Sequence, residues 1–303
     1  MKTRTFVSLL AVPLTAALAL TGCSSGGSGA SAGASDDAKV SVVASTNVYG
    51  DIVSAIAGDN IAVTSIMSNP AQDPHSFEVN AQNQLAVSKA DIVIENGGGY
   101  DDFMGTLLDA SGNEDAVVLN VFDISGKADG VNEHVWYDFA SIGKLKDALV
   151  EALSKADPAG ASTFEKNGKG FSETLAELES RQAELKTKYD GQGVAVSEPV
   201  PLYLLEGVGL VDKTPEAFSQ AVEEGVDVSP AVLQETIDAV VGGSVRLLVY
   251  NEQTSGPETE KVLAAAEGAG VPVVPVTETL PNGEDYLSWM RATLDAVAKA
   301  LGA

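Results

Sequence analysis

The sequence predicts an α/β protein of two lobes, each a mainly parallel sheet flanked by helices, with a long helix joining the lobes. Short apolar runs rich in β-branched residues alternate with amphipathic helical patterns in residues 39–158, and the alternation returns in residues 191–303. Between these blocks, residues 159–190 carry one long helical pattern. Alternating strands and helices are typical of parallel sheets with helices on both faces. We therefore expect two sheets and a linking spine helix.

Residues 1–22 predict a cleaved signal peptide. Lys2 and Arg4 precede an apolar stretch at residues 6–20, which is shorter than the roughly 20 residues that span a bilayer. The run Leu-Thr-Gly-Cys that ends at Cys23 resembles the bacterial lipobox, in which the cysteine is acylated. Residues 23–38 are otherwise Ser, Gly, Ala and Asp, so they are expected to form a lipidated, flexible tether. Because Cys23 is the only cysteine, a disulfide or a thiolate metal ligand in the folded part is excluded.

The first block predicts a regular alternation of strands and helices. The strands are expected at residues 40–44, 61–67, 92–95 and 117–121, and the helices at residues 48–57, 80–89, 101–110 and 139–154. The glycine run at residues 97–99 lacks the Lys-Ser/Thr of a phosphate loop and the spacing of a dinucleotide fingerprint. We interpret it as a turn or as a point of close backbone packing.

The second block repeats this alternation after the spine helix. The spine pattern covers residues 161–189, and its apolar positions are Phe164, Phe171, Leu175, Leu178 and Leu185. After it, strands are expected at residues 193–197, 245–250 and 271–276, and helices at residues 202–208, 230–241, 257–266 and 285–301. A helical hairpin packed on a single domain is the alternative interpretation of the long pattern.

Composition narrows the possible partners. The chain has 43 acidic and 18 basic residues, for a formal net charge of -25. Such a charge argues against nucleic acid and anionic membrane surfaces as partners, whereas it attracts cations. Solubility alone is the other explanation of this acidity.

Both histidines of the chain lie where parallel sheets bind ligands. His75 follows the strand expected to end at Met67, and His134 follows the strand expected to end at Val121. Ligands of such sheets bind beyond the carboxyl ends of the strands. Pro74 stiffens the segment that presents His75. The two histidines are candidate metal ligands, and a pair of surface histidines is the alternative.

Two glutamates occupy equivalent places in the second block. Glu198 and Glu278 each follow a predicted strand directly and precede a loop. An acid at such a place is often a residue of the first helical turn. Together with His75 and His134, however, the two carboxylates complete a four-donor site in the cleft between the lobes. Nitrogen and oxygen donors without sulfur suit one divalent ion such as Zn²⁺ or Mn²⁺.

These residues resemble a known family. The segments Asn-Pro-Ala-Gln-Asp-Pro-His-Ser-Phe-Glu around His75, Asn-Glu-His-Val-Trp-Tyr-Asp around His134, Val-Ser-Glu-Pro around Glu198 and Val-Thr-Glu-Thr around Glu278 are similar to those of the solute-binding proteins of zinc and manganese importers of the ATP-binding-cassette class. In that family these four positions carry the metal ligands.

The resemblance implies a function and a location. It implies a monomeric, non-enzymatic lipoprotein on the outer face of the bacterial cytoplasmic membrane, which captures Zn²⁺ or Mn²⁺ as cargo and delivers it to a membrane permease. Zinc-type members often have a third histidine where Glu198 stands and a His-rich loop, and this chain has neither. Manganese-type members usually have Asp where Glu278 stands. The ion therefore stays open between zinc and manganese.

Two other functions are alternatives to metal capture. A metal-dependent hydrolase would keep an open coordination position, but the chain has no His-Glu-x-x-His helix and no Gly-x-Ser-x-Gly elbow. A metal-binding adhesin lipoprotein is the other alternative.

Four acids are candidates to orient the histidines by hydrogen bonds, and the alternative is that they are ordinary surface residues: Asp73, Glu78, Asp138 and Glu252.

The lipobox predicts how the chain is anchored. Cys23→Ala should release the protein from the membrane fraction, because the acylated side chain is lost, whereas Ser28→Ala in the tether should leave it bound. Fractionation of cells that express each variant measures this. A Cys23→Ala protein that stays in the membrane until detergent is added would contradict the assignment.

Overall fold

The structure is a computed structural model that describes residues 39–69 and 77–303. The predicted signal peptide, Cys23, the tether and His75 lie outside the described residues. Within the described ranges, no helix is both long enough and apolar enough to cross a membrane.

The first sheet is parallel and has its most apolar strands at its centre. Its strand order is β2-β1-β3-β4. The two central strands are buried along nearly their whole length, which explains their continuous apolar sequence. The strands are β1 (Ser41–Thr46), β2 (Ala62–Met67), β3 (Ile92–Glu95) and β4 (Val117–Asn120).

Five helices accompany this sheet in the described part of the chain: α1 (Asn47–Ala57), α2 (Ala81–Val87), α3 (Phe103–Ser111), α4 (Val121–Ser125) and α5 (Phe139–Ala156). The short α4 was not predicted from the sequence. Asn120 accepts a hydrogen bond from Asp123 N at 3.0 Å and so acts as an N-cap. The fourth strand therefore ends at Asn120, and Val121 begins a helix instead of ending the strand.

The glycine run after β3 forms a tight turn, as expected. All three residues have positive φ, at 73° for Gly97, 67° for Gly98 and 99° for Gly99. A methyl group on Gly98 would lie 2.7 Å from the ring of Phe122, which is buried. Glycine is thus required here both for backbone conformation and for close packing.

The second sheet has the same relative strand order as the first. Its order is β6-β5-β7-β8, and all pairs are parallel. The edge strand β6 has two residues and was not predicted. The strands are β5 (Gly193–Val196), β6 (Val211–Asp212), β7 (Leu248–Asn251) and β8 (Val273–Val276). In both sheets the strand order reverses between two central strands, and such a switch point is where open α/β sheets bind ligands.

Five further helices belong to the second block as described: α7 (Leu202–Gly207), α8 (Glu216–Glu223), α9 (Pro230–Val241), α10 (Pro257–Ala269) and α11 (Tyr286–Leu301). The helix α8 was missed because it has only eight residues and lies between Pro215 and Gly225, which both indicate turns. Gly225 has φ 63°, a conformation that ends the segment sharply.

The predicted spine is a single helix, α6 (Ala161–Tyr189), of 29 residues. Its length is about 44 Å at 1.5 Å per residue. The five apolar positions expected on one face are all buried. Gly168 lies where α6 meets α5, and a methyl group there would be 2.7 Å from Cγ2 of Val150. This glycine lowers helix propensity but allows the two helices to approach closely.

Hydrogen bonds join the two blocks within one compact unit, residues 39–303. Asn47 donates to Leu280 O at 2.8 Å and accepts from Leu280 N at 2.9 Å. Asp51 accepts from the first amide of α11, Tyr286 N, at 2.8 Å. The Tyr286 hydroxyl donates to Trp136 O at 2.6 Å. One hydrophobic core contains residues of both sheets and of α6 and α11.

The Tyr286 hydroxyl should stabilise this junction. Tyr286→Phe removes the donor of a fully buried carbonyl of Trp136, so we expect a loss of about 1–3 kcal/mol in the free energy of unfolding. Tyr250→Phe is the matched control, because that hydroxyl has only a 3.4 Å contact with Thr259. Urea denaturation measures both variants, and equal losses would contradict the special role of the Trp136 contact.

Candidate metal centre

The two predicted carboxylates meet at one amide group at the carboxyl edge of the second sheet. Asn251 Nδ2 donates to Glu198 Oε2 at 2.7 Å and to Glu278 Oε1 at 2.8 Å. The strand order explains this geometry. The strand β7, which ends at Asn251, lies between β5, which precedes Glu198, and β8, which precedes Glu278. The middle strand therefore supplies the residue that bridges its two neighbours.

Both carboxylates are almost completely buried. The exposed fraction is 1% for Glu198 and 1% for Glu278. Burial of a carboxylate is costly unless hydrogen bonds or a cation compensate for the lost water. The hydroxyl of Thr254 also donates to Glu198, and the Gln253 side-chain oxygen accepts from the backbone of Glu278. The loop that follows β7 thus fixes both acids.

His134 is held in one orientation by Asn132. The imidazole is fully buried, and its Nδ1 lies 2.6 Å from Asn132 Oδ1. The Asn132 amide is oriented by its own donation, from Nδ2 to Pro199 O at 2.8 Å. Because Oδ1 can only accept, Nδ1 carries the proton in the neutral ring, and Nε2 is the nitrogen available to a metal. Asn132 also connects the His134 loop to the residue that follows Glu198.

Aromatic rings enclose the imidazole on the side of the first sheet. Its centroid lies 5.6 Å from that of Tyr100 and 5.0 Å from that of Trp136. Burial raises the pKa of Tyr100 well above its usual range, and the nearby charge of Glu278 raises it further. Tyr100 therefore stays protonated and links the first lobe to a carboxylate of the second.

A buried acid supports the loop that carries His134. Asp101 accepts from Asn96 N at 2.6 Å and from Gly97 N at 2.8 Å. Asn96 in turn donates from Nδ2 to Glu133 O at 3.0 Å. Burial raises the pKa of Asp101 to about 6, although its hydrogen bonds lower it. This chain of contacts connects the turn after β3 to the backbone beside His134.

Glu223 is an acid of the site that the sequence did not reveal. Its Oε1 lies 3.5 Å from His134 Nε2, and donor atoms of Glu133, His134 and Glu223 all lie within 4.8 Å of one another. Burial raises the pKa of Glu223 to about 9, and the charges of Glu133, Glu198 and Glu278 add to the shift. Glu223 therefore lies close to the other acids of the cleft. No local pattern identifies it, because its place depends on the unpredicted helix α8.

Of the four acids considered as orienting residues, one has other partners and two are exposed. Asp138 pairs with Lys127 at 2.9 Å and accepts from Ser141 at 2.6 Å. Glu78 and Glu252 are exposed, and Asp73 lies outside the described residues. The orienting residue of His134 is Asn132, two positions before it in the sequence, and a search of the nearest polar residues would have found it.

A cavity of about 470 Å³ opens between the lobes beside these donors. Four acids line it together with Asn132 and Pro199: Glu133, Asp212, Glu216 and Glu223. An acidic cavity with low-dielectric walls raises the local concentration of cations. Two of the lining acids adjoin the imidazole: Glu133 precedes His134 in the chain, and Glu223 lies 3.5 Å from its Nε2.

Comparisons with known proteins find similarity over most of the chain. The family model of zinc-uptake complex component A, periplasmic, matches residues 42–300. The manganese-binding lipoprotein MntA of Halalkalibacterium halodurans is 26% identical over 94% of this chain and 95% of its own length. The iron ABC transporter substrate-binding lipoprotein MtsA of Streptococcus pyogenes is 24% identical over 87% of this chain and 89% of its own.

Solved structures share the fold. The substrate-binding protein FpvC of Pseudomonas aeruginosa, in complex with Mn²⁺, superposes with a TM-score of 0.72 at 21% identity, and covers 87% of this chain and 98% of its own. A crystal structure of ZnuA gives a TM-score of 0.70 at 18% identity and covers 87% of this chain and all of its own. These similarities confirm the predicted two-lobed architecture.

The pKa of Asp101 makes stability depend on pH. Between pH 4 and pH 6, roughly, Asp101 is protonated in the folded state but ionised in the unfolded chain. The free energy of unfolding therefore falls as pH rises from about 4 to about 6. The contribution is about 3 kcal/mol for a shift of about two units. Asp101→Asn should remove this dependence, as measured by urea denaturation across the window. Asp102→Asn, at an exposed neighbour, should keep it, and two identical profiles would contradict the assignment.

Proposed function

The chain belongs to the family of the periplasmic zinc-uptake complex component A, and we propose that it is an extracytoplasmic receptor that captures a divalent transition metal and delivers it to an ATP-binding-cassette import permease. The names of its relatives support this function, because they describe substrate-binding lipoproteins of manganese and iron transporters. The metal is cargo, and the proposed role is binding without catalysis.

One observation carries the proposal. The buried carboxylates of Glu198 and Glu278 meet at one amide group in the second lobe, and the buried imidazole of His134 in the first lobe has its Nδ1 fixed by Asn132. Glu223 lies 3.5 Å from His134 Nε2 and close to both carboxylates, so it connects the two groups. Placing acids away from water is unfavourable, and a bound cation reverses that cost. A metal site requires nitrogen and oxygen donors that are held in position by hydrogen bonds from neighbouring polar residues.

We propose that His75, His134, Glu198 and Glu278 hold the ion. His75 is included because of its place in the sequence and the family resemblance. The other three assignments are also supported by the burial and hydrogen bonds of the side chains. Two imidazoles and two carboxylates suit Zn²⁺, and the oxygen-rich surroundings suit Mn²⁺. The proposal therefore includes both ions as cargo.

The rest of the chain fits a membrane-tethered receptor. We propose that Cys23 carries the lipid on the outer face of the cytoplasmic membrane and that residues 23–38 tether a monomeric receptor to its permease. Residues 39–158 and 191–303 then act as the two lobes, with residues 159–190 as the linking segment. A bound ion cross-links the lobes through its own bonds, while the long helix α6 limits the movement to small tilts.

Loss of one proposed carboxylate should weaken metal binding strongly. Glu198→Gln removes a charge that bonds directly to the ion, so the dissociation constants of Zn²⁺ and Mn²⁺ should rise by about a hundredfold or more. Glu206→Gln is the matched control, because Glu206 is an exposed glutamate of the neighbouring helix α7. Isothermal titration of the purified full chain measures both variants.

The same titration on the unmodified chain tests the proposal as a whole. One Zn²⁺ or Mn²⁺ should bind per chain. If neither ion binds the unmodified chain, the proposed function is wrong. If Glu198→Gln binds both ions as tightly as Glu206→Gln does, Glu198 is not a ligand.

A further inference from the structure

We propose that Glu223 is a further direct donor to the captured metal, supplied by the end of helix α8. This inference rests on the proposed function, since it concerns the same ion. It adds a fifth donor, from a helix that the sequence did not predict, to the four proposed above. Three consecutive steps support it: a distance, the chemistry of the two facing atoms, and the electrostatic surroundings of the carboxylate.

The first step is the distance between Glu223 Oε1 and His134 Nε2, which is 3.5 Å. Nitrogen and oxygen ligands lie about 2.0–2.2 Å from Zn²⁺, so two ligands at the tetrahedral angle are about 3.4 Å apart. The observed separation matches two atoms that share an ion. It is long for a hydrogen bond between nitrogen and oxygen.

The second step is the chemistry of the two atoms. Asn132 holds the proton of the neutral imidazole on Nδ1, so Nε2 presents a lone pair. The facing atom of Glu223 belongs to a carboxyl group, which is an acceptor when ionised. An imidazole nitrogen and a carboxylate oxygen are both donor types that a divalent metal takes from a protein. A metal ion at this position would bond to both.

The third step is the electrostatic surroundings. The Glu223 side chain is 13% exposed and lies near Glu133, Glu198 and Glu278. In the part of the chain that the structure describes, no lysine or arginine forms an ion pair with it. Glu223 also lines the acidic cavity of about 470 Å³. The Glu223 carboxyl group thus lies among other acids beside the cavity, where a bound cation would offset their mutual repulsion.

A further oxygen donor affects the choice of ion. Zn²⁺ is satisfied by four ligands in tetrahedral geometry, whereas Mn²⁺ prefers oxygen ligands in octahedral geometry. Glu223 raises the number of oxygen donors above what Zn²⁺ needs. We therefore expect Glu223 to contribute more to the binding of Mn²⁺ than to that of Zn²⁺.

The experiment compares Glu223→Gln with Glu224→Gln in the full chain. Glu224 is the adjacent glutamate, and its side chain is exposed. Isothermal titration with Mn²⁺ should give a dissociation constant about tenfold higher or more for Glu223→Gln, and a smaller change with Zn²⁺. Glu224→Gln should match the unmodified protein with both ions. Without metal, Glu223→Gln should melt at or above the temperature of the unmodified chain, because a neutral amide replaces a carboxyl group that is largely buried among other acids.

A crystal structure of the unmodified chain with Mn²⁺ provides the direct measurement. A Glu223 oxygen within about 2.4 Å of the ion supports the inference, and an oxygen beyond about 3 Å overturns it. The inference is also wrong if Glu223→Gln and Glu224→Gln bind Mn²⁺ equally, or if Glu223→Gln lowers the melting temperature of the metal-free protein and so has a structural role. Failure of the unmodified chain to bind either ion overturns both this inference and the proposed function.

Discussion

The burial of Glu198 and Glu278 on one amide group, Asn251 Nδ2, is the interaction on which the site depends. Because the strands are parallel, β5, β7 and β8 end at the same edge of the sheet. Three polar residues that lie at or just after these ends therefore meet there: Glu198, Asn251 and Glu278. Two buried carboxylates that share one neutral donor keep a strong attraction for a cation, because an amide hydrogen bond offsets only part of the lost hydration. The fold of the second lobe therefore holds two buried acids that a bound cation would stabilise.

The first lobe supplies an oriented imidazole nitrogen, Nε2 of His134. Asn132 fixes the His134 ring and also donates to Pro199 O, so the contact that sets the imidazole orientation also joins the two lobes. Tyr137 extends this junction, because its hydroxyl donates to Thr277 O at 2.8 Å, directly before Glu278. Capture of a metal between preformed halves costs little reorganisation of the backbone. The long helix α6 and the shared core connect the two halves.

Much of this architecture could be predicted from the sequence, because buried parallel strands and amphipathic helices leave periodic patterns. The helix α6 and the positions of Glu198 and Glu278 at strand ends are examples. The two-residue strand β6 and the helix α8 were missed, since elements this short are defined by tertiary contacts rather than by periodicity. Glu223 was missed for the same reason. Asn251 could not be assigned without the strand order, which local patterns do not give.

The central claim is that one metal ion bridges the two lobes at the donors described. Amide hydrogen exchange of the full chain, with and without saturating Mn²⁺ or Zn²⁺, tests it most directly, because exchange reports local protection along the whole backbone. The account predicts added protection in the His134 loop of the first lobe and in the loops of Glu198 and Glu278 of the second. Protection confined to one lobe, or none at all with metal bound, would contradict a bridging site.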